Sequence, residues 1–83
     1  MKIKVYVPVE RCEEVIVEVP KEAMAYYNDM WGGISTDAIT FDKSQNAWSN
    51  MIVNAFDTVE GANYSFLEYG YGDDEANWEV IKE

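Results

Sequence analysis

Two short stretches near the start of the chain alternate so strictly that a pleated strand is the element that fits them. Residues 2–9 set Ile3, Val5, Val7 and Val9 against Lys2, Lys4, Tyr6 and Pro8, and residues 14–19 set Val15, Val17 and Val19 against Glu14, Ile16 and Glu18. A period of two, rich in β-branched residues, buries one face of a strand and leaves the other wet. Glu10-Arg11-Cys12 is a short polar link, so the two strands form a hairpin. Pairing Val5 with Val17 also sets Lys4 opposite Glu18 and Tyr6 opposite Ile16, and that is the register expected. Pro8 has no N–H to give a ladder, which predicts that the first strand lies at a sheet edge near its end, or bends there.

A half-apolar hairpin needs a cover, and the next segments read as helices. Pro20 suits a first helical turn, with Glu22 near its positive end. Ala23, Met24, Tyr27, Met30 and Trp31 recur at helical spacing until Gly32-Gly33, predicting a helix over 20–31. A brief strand is expected at the end of 34–41, where Ile39 and Phe41 alternate. Asp42 and Gln45 form a capping-box pattern ahead of Trp48, Met51, Ile52, Ala55 and Phe56, an apolar stripe at i, i+3, i+4, i+7, i+8. The opposite face, Asn46, Ser49, Asn50, Val53 and Asn54, is unusual, because Asn competes with the backbone for hydrogen bonds and forms helices poorly. It is either a contact surface or a solvated face. Past a turn at Glu60-Gly61, residues 63–71 read as a tyrosine-rich strand and 78–82 as a last one, joined by the loop Asp73-Asp74-Glu75-Ala76-Asn77 into a second hairpin. The expected architecture is α+β: an antiparallel sheet of four to five strands with two helices packed on one face, in the order ββα(β)αββ. At 83 residues the chain holds one domain.

The charge is lopsided. Sixteen acids face six bases for a net of −10, and residues 44–83 carry a net of −7 with Lys82 as their single cation. Phosphate binding calls on Lys and Arg, and Arg11 is the one arginine, so direct nucleic-acid binding is disfavoured, as is an anionic membrane surface. No apolar run nears the roughly 20 residues of a membrane span. The start, Lys2-Ile3-Lys4-Val5, reads as a strand and not as a signal peptide's apolar block. A cytoplasmic protein with a reduced cysteine is expected.

Chemistry is scarce as well. With no histidine, Ser-His and Cys-His nucleophile pairs are out, and Cys12 stands beside Glu10, Glu13 and Glu14, whose charge works against a second anion on sulfur. Asp57 to Glu68 fails as a calcium loop, because Val59 and Gly61 fall where ligands belong. Gly32-Gly33 follows a helix instead of opening one, so it is no phosphate cradle. The chain is read as a non-enzyme with no cofactor and no metal.

What remains is a set of acids interleaved with aromatics: Glu68, Tyr69, Tyr71, Asp73, Asp74, Glu75, Trp78 and Glu79. Tyrosine and tryptophan carry much interface energy, and carboxylates beside them meet guanidinium groups in bidentate pairs. These eight are the expected partner-binding residues; the bland alternative is that the rings fill a sheet face and the acids solubilise its rim. A very short acidic α+β chain with such a surface, carried by Asp57, Glu60, Glu68, Asp73, Asp74, Glu75, Glu79 and Glu83, resembles the small phage-encoded anti-defence inhibitors, anti-CRISPR and DNA-mimic proteins among them. That resemblance implies carboxylates standing where phosphates would stand, in the nucleic-acid groove of a basic protein of a bacterial host. Two other readings stand beside it: an immunity or antitoxin partner of a basic toxin, and a small structural or regulatory homodimer that uses the Asn/Ser helix face or an exposed sheet edge.

Overall fold

The structure, a computed structural model, describes residues 1–10, 12–31, 38–69 and 77–82. Strands β1 (Lys2–Val7) and β2 (Glu13–Glu18) come first, then helices α1 (Lys21–Trp31) and α2 (Ala38–Asp57), a 3-10 helix (Tyr64–Tyr69) and strand β3 (Trp78–Val80). The fold is α+β, with an antiparallel three-stranded sheet in the order β2-β1-β3 among the described residues.

The alternation of the first two strands sorts as expected. Ile3, Val5 and Val7 are fully buried, Val15 and Val17 pack half-buried against the same core, and Ile16 on the other face is 63% exposed. The register differs from the expected one by two residues: Val5 faces Val15, Lys4 faces Ile16 and Tyr6 faces Glu14. A slip of two keeps every side chain on its face, so burial cannot choose between the two pairings. The observed one ends the ladder at Val7 and Glu13, leaving Pro8 outside it. Pro8 therefore marks the end of a strand and not a sheet edge. Strand β1 is central, with β3 on its second side, and the Pro8 carbonyl accepts the Asn63 N–H at 2.8 Å.

Helix α1 starts where its proline set it, the Pro20 carbonyl accepting the N–H groups of Ala23 and Met24. Helix α2 starts at Ala38, more than a turn before the start that a cap at Asp42 predicts. The strand expected within 34–41 is helical from Ala38 onward, and its first residues lie outside those described. Buried Ser44 continues the inward stripe a turn before Trp48; a small polar residue hides such a continuation from an apolar count, and two alternating residues are too few to specify a strand. Trp48, Met51, Ile52, Ala55 and Phe56 are all buried, and α2 lies over β1 and β2 with α1 along its flank. Tyr26 of α1 is buried as well, its ring 5.6 Å from that of Trp48.

The second hairpin is corrected. Of the strand expected over 63–71, Tyr64–Tyr69 is a 3-10 helix and the last two residues lie outside those described, while β3 pairs with β1. Asn63 decides this locally. Its side-chain oxygen accepts both the N–H of Ser65 at 3.1 Å and its hydroxyl at 2.6 Å, a turn that competes with any strand the tyrosines favour. Leu67 packs half-buried against the core, out of step with an alternation in two.

Candidate functional site

Helix α2 runs out at Asp57, and the chain turns at once. Thr58 closes the helix, its hydroxyl donating to the Ala55 carbonyl at 2.7 Å. Gly61 then takes φ of +77°, a conformation that costs other residues dearly, and the chain swings into the 3-10 helix. The turn brings Tyr64 back over the helix end. Its ring centroid is 5.8 Å from that of buried Phe56, and its hydroxyl donates to Asp57 Oδ1 at 2.6 Å. That bond, then partial desolvation and the carboxylate's charge, holds the phenol above its ordinary pKa. Tyr64 is nonetheless 45% exposed and Phe66 46%. Two rings are thus nearly half exposed within the stretch that carries exposed Asp57 and Glu60. From Ser44 to Ile81 the chain has no positive side chain to neutralise them.

The expected partner-binding residues are divided by the structure. Glu68 and Tyr69 lie at the end of the 3-10 helix. Tyr71, Asp73, Asp74 and Glu75 lie outside the described residues. Trp78 is 2% exposed and belongs to the core, wedged against Tyr27 and Trp48, so it offers a partner no ring surface. It points inward because Val5, its partner in the ladder, does.

Glu79 points the other way, onto the sheet face that neither helix covers. There Lys4 reaches Glu79 at 3.5 Å and Glu14 at 3.7 Å. The lysine is held above its usual pKa chiefly by Glu14, against some desolvation and with help from Glu79. Tyr6 donates to Glu79 and is raised in turn, first by that bond and then by desolvation. Lys4 thus ties the three strands together from outside, with exposed Ile16 as its neighbour across the ladder.

Tyr64 and Phe66 are the exposed aromatics that the sequence reading placed in a strand and left out of the site. Their signal was Asn63, whose turn takes them out of any sheet. On the outer face of α2, Asn46, Ser49, Asn50, Val53 and Asn54 are all exposed. Cys12 is a free, exposed thiol. Among the described residues no three His, Cys, Asp or Glu side chains gather as a metal site, and no helix is long and apolar enough to cross a membrane.

No protein-family model matches the chain, and no curated protein or solved structure matches it either.

Proposed function

We propose that this chain is a non-enzymatic acidic binding protein, an inhibitor that occupies the basic surface of a nucleic-acid-handling protein in the bacterial cytoplasm, as its resemblance to the anti-defence inhibitors implies. The observation that carries the reading is the pair of exposed rings, Tyr64 and Phe66, beside the carboxylates Asp57 and Glu60 in a stretch without a cation. Carboxylates steer a positive groove toward this end of the molecule, and the rings supply the area that a close contact then buries. The acids of 68–79 extend the same field along the chain. Like charges oppose a homodimer through this surface.

Capture from a bacterial lysate at two salt concentrations tests the reading, with the natural chain and a Tyr64→Ala/Phe66→Ala variant as baits. The expected result is a basic nuclease or DNA-binding protein retained at low salt, released at high salt, and poorly retained by the variant. Capture that ignores salt, or a variant that holds the same protein equally well, would defeat it.

A further inference from the structure

Strand β2 has a partner on one side only; among the described residues nothing pairs with its outer edge. The ladder shows which groups that edge presents. The Val19 N–H donates to the Met1 carbonyl at 2.8 Å, so the bonded pairs run Met1/Val19, Ile3/Val17, Val5/Val15 and Val7/Glu13. The Ile81 N–H, donating to Lys2, agrees: the even residues of β1 turn toward β3. The N–H and C=O groups of Glu14, Ile16 and Glu18 therefore point away from the sheet. Their side chains, all exposed, stand on its uncovered face.

Beside this edge, on the inner side, a groove of about 370 Å³ separates β2 from α2. Val17, Ala47 and Met51 form its apolar floor, Asn50 and Asn54 of α2 give it a wall of side-chain amides, and Glu18, Pro20 and Glu22 complete its lining. The uncharged helix face that looked odd in the sequence thus runs alongside a free strand edge. Lysines line a different groove, where Lys21 and Lys43 lie between α1 and α2.

We propose that the β2 edge binds an extended basic segment of a partner protein by strand addition. Such a segment hydrogen-bonds to Glu14, Ile16 and Glu18, and its side chains alternate between two surroundings. One set lies on the open face, where Lys or Arg meets Glu14 and Glu18 with an apolar residue over Ile16. The other set enters the groove, where small or hydroxyl side chains meet the Asn50 and Asn54 amides. Pro20 ends the edge, so about five residues are read, on the usual strand rise. A second copy of this chain fits poorly, since a symmetric pairing centred on Ile16 sets Glu14 against Glu18 twice, and like charges directly opposite destabilise a sheet. The proposal is independent of the Tyr64 and Phe66 surface.

The test titrates the isotope-labelled full chain with the blocked peptide Lys-Thr-Ile-Thr-Lys and, separately, with Glu-Thr-Ile-Thr-Glu, following amide shifts and hydrogen exchange. The basic peptide should shift the amides of Glu14, Ile16 and Glu18 and slow their exchange, and the acidic one should not. Ile16→Pro removes the outward N–H while sparing the ladder to β1. Asn54→Arg, at an exposed helix position that leaves the fold intact, puts a like charge in the groove, and each change should weaken the basic peptide about tenfold or more. Unchanged amides at millimolar peptide, an equal response to both peptides, shifts centred on Tyr64 and Phe66, or self-association of the chain through β2 would each overturn the proposal.

Discussion

Trp48 of α2 and Trp78 of β3 meet edge to face, their ring centroids 5.3 Å apart and their planes at 69°. That contact joins two residues far apart in the sequence and fastens the short third strand to the helix layer. Tyr27 closes the group from α1, stacked on Trp48 at 6.1 Å and edge-on to Trp78 at 5.8 Å. Aromatic pairs in this geometry add about 0.5–1.5 kcal/mol to the burial of their area. A strand of three residues has little ladder of its own, so its place depends on the ring it carries inward.

Trp78→Ala should therefore cost about 3–5 kcal/mol in urea unfolding, the range for emptying a large aromatic site. It should also expose the Lys2 and Lys4 amides to exchange, since they face β3. A loss below about 1 kcal/mol would mean that β3 is held by something other than its tryptophan.

The two faces of α2 make a sharper comparison within one helix. Ile52 is 2% exposed and its neighbour Val53 is 36% exposed. Ile52→Ala should cost about 2–5 kcal/mol, while Val53→Ala should stay within about half a kcal/mol of the natural chain. Equal effects in thermal or urea melts would contradict the packing of α2 on the sheet.

The inward faces of β1, β2 and α2 were legible because each depends on a period, and burial enforces a period directly. The strand register was not, since moving Val5 from Val17 to Val15 leaves every side chain on its own face. The stretch from Asn63 onward misread for a different reason. Tyr64, Phe66 and Tyr69 favour strands, but one Asx turn at Asn63 outweighs them, and Tyr64–Tyr69 winds into a 3-10 helix. For Trp78 the sequence leaves an interface residue and a ring that fills a sheet face both open, and its place opposite Val5 decides for the core. The acidic half was plain in composition; which of its rings stand in water was not, because that follows from a turn and not from a pattern.

Gly61 can be tested by its backbone alone. A Cβ there meets nothing within 4 Å, so any cost of a side chain comes from φ at +77°. Gly61→Ala should lose about 1–2 kcal/mol and Gly61→Asn less, since Asn tolerates this conformation better. If alanine proves neutral in a thermal melt, the turn between α2 and the 3-10 helix takes a different form.

Alkaline titration probes the Tyr64–Asp57 bond. Hydrogen bonding to the carboxylate favours the protonated phenol, so the folded pKa lies above the unfolded one. The bond's contribution is then complete at neutral pH and is lost as pH rises through the raised phenol value. Asp57→Asn removes the charge, and Tyr64 should ionise at lower pH, seen as an earlier rise in its phenolate absorbance or an NMR shift of its ring. No change between the two proteins would show that the hydroxyl does not rest on Asp57 in solution.

The acidic reading stands or falls on whether position matters beyond net charge. Asp57, bonded to the Tyr64 hydroxyl, and Glu60 in the turn that follows are exposed carboxylates, whereas Glu10 and Asp42 are exposed carboxylates in the less acidic half. Removing either pair, as Asp57→Asn/Glu60→Gln or Glu10→Gln/Asp42→Asn, changes the net charge equally. Neither pair lines the groove beside β2, so strand addition there is left untouched. The second pair should keep stability within about half a kcal/mol, and the first, which weakens the Tyr64–Asp57 bond, within about 1.5 kcal/mol. The first pair should slow association with a basic partner and flatten its salt dependence, because rim charges act chiefly on the encounter rate. The second pair should do so much less. Association rates measured at two ionic strengths separate the cases. An equal loss from both pairs would reduce the effect to net charge with no site, and no loss from either would leave the Tyr64 and Phe66 surface without an electrostatic role.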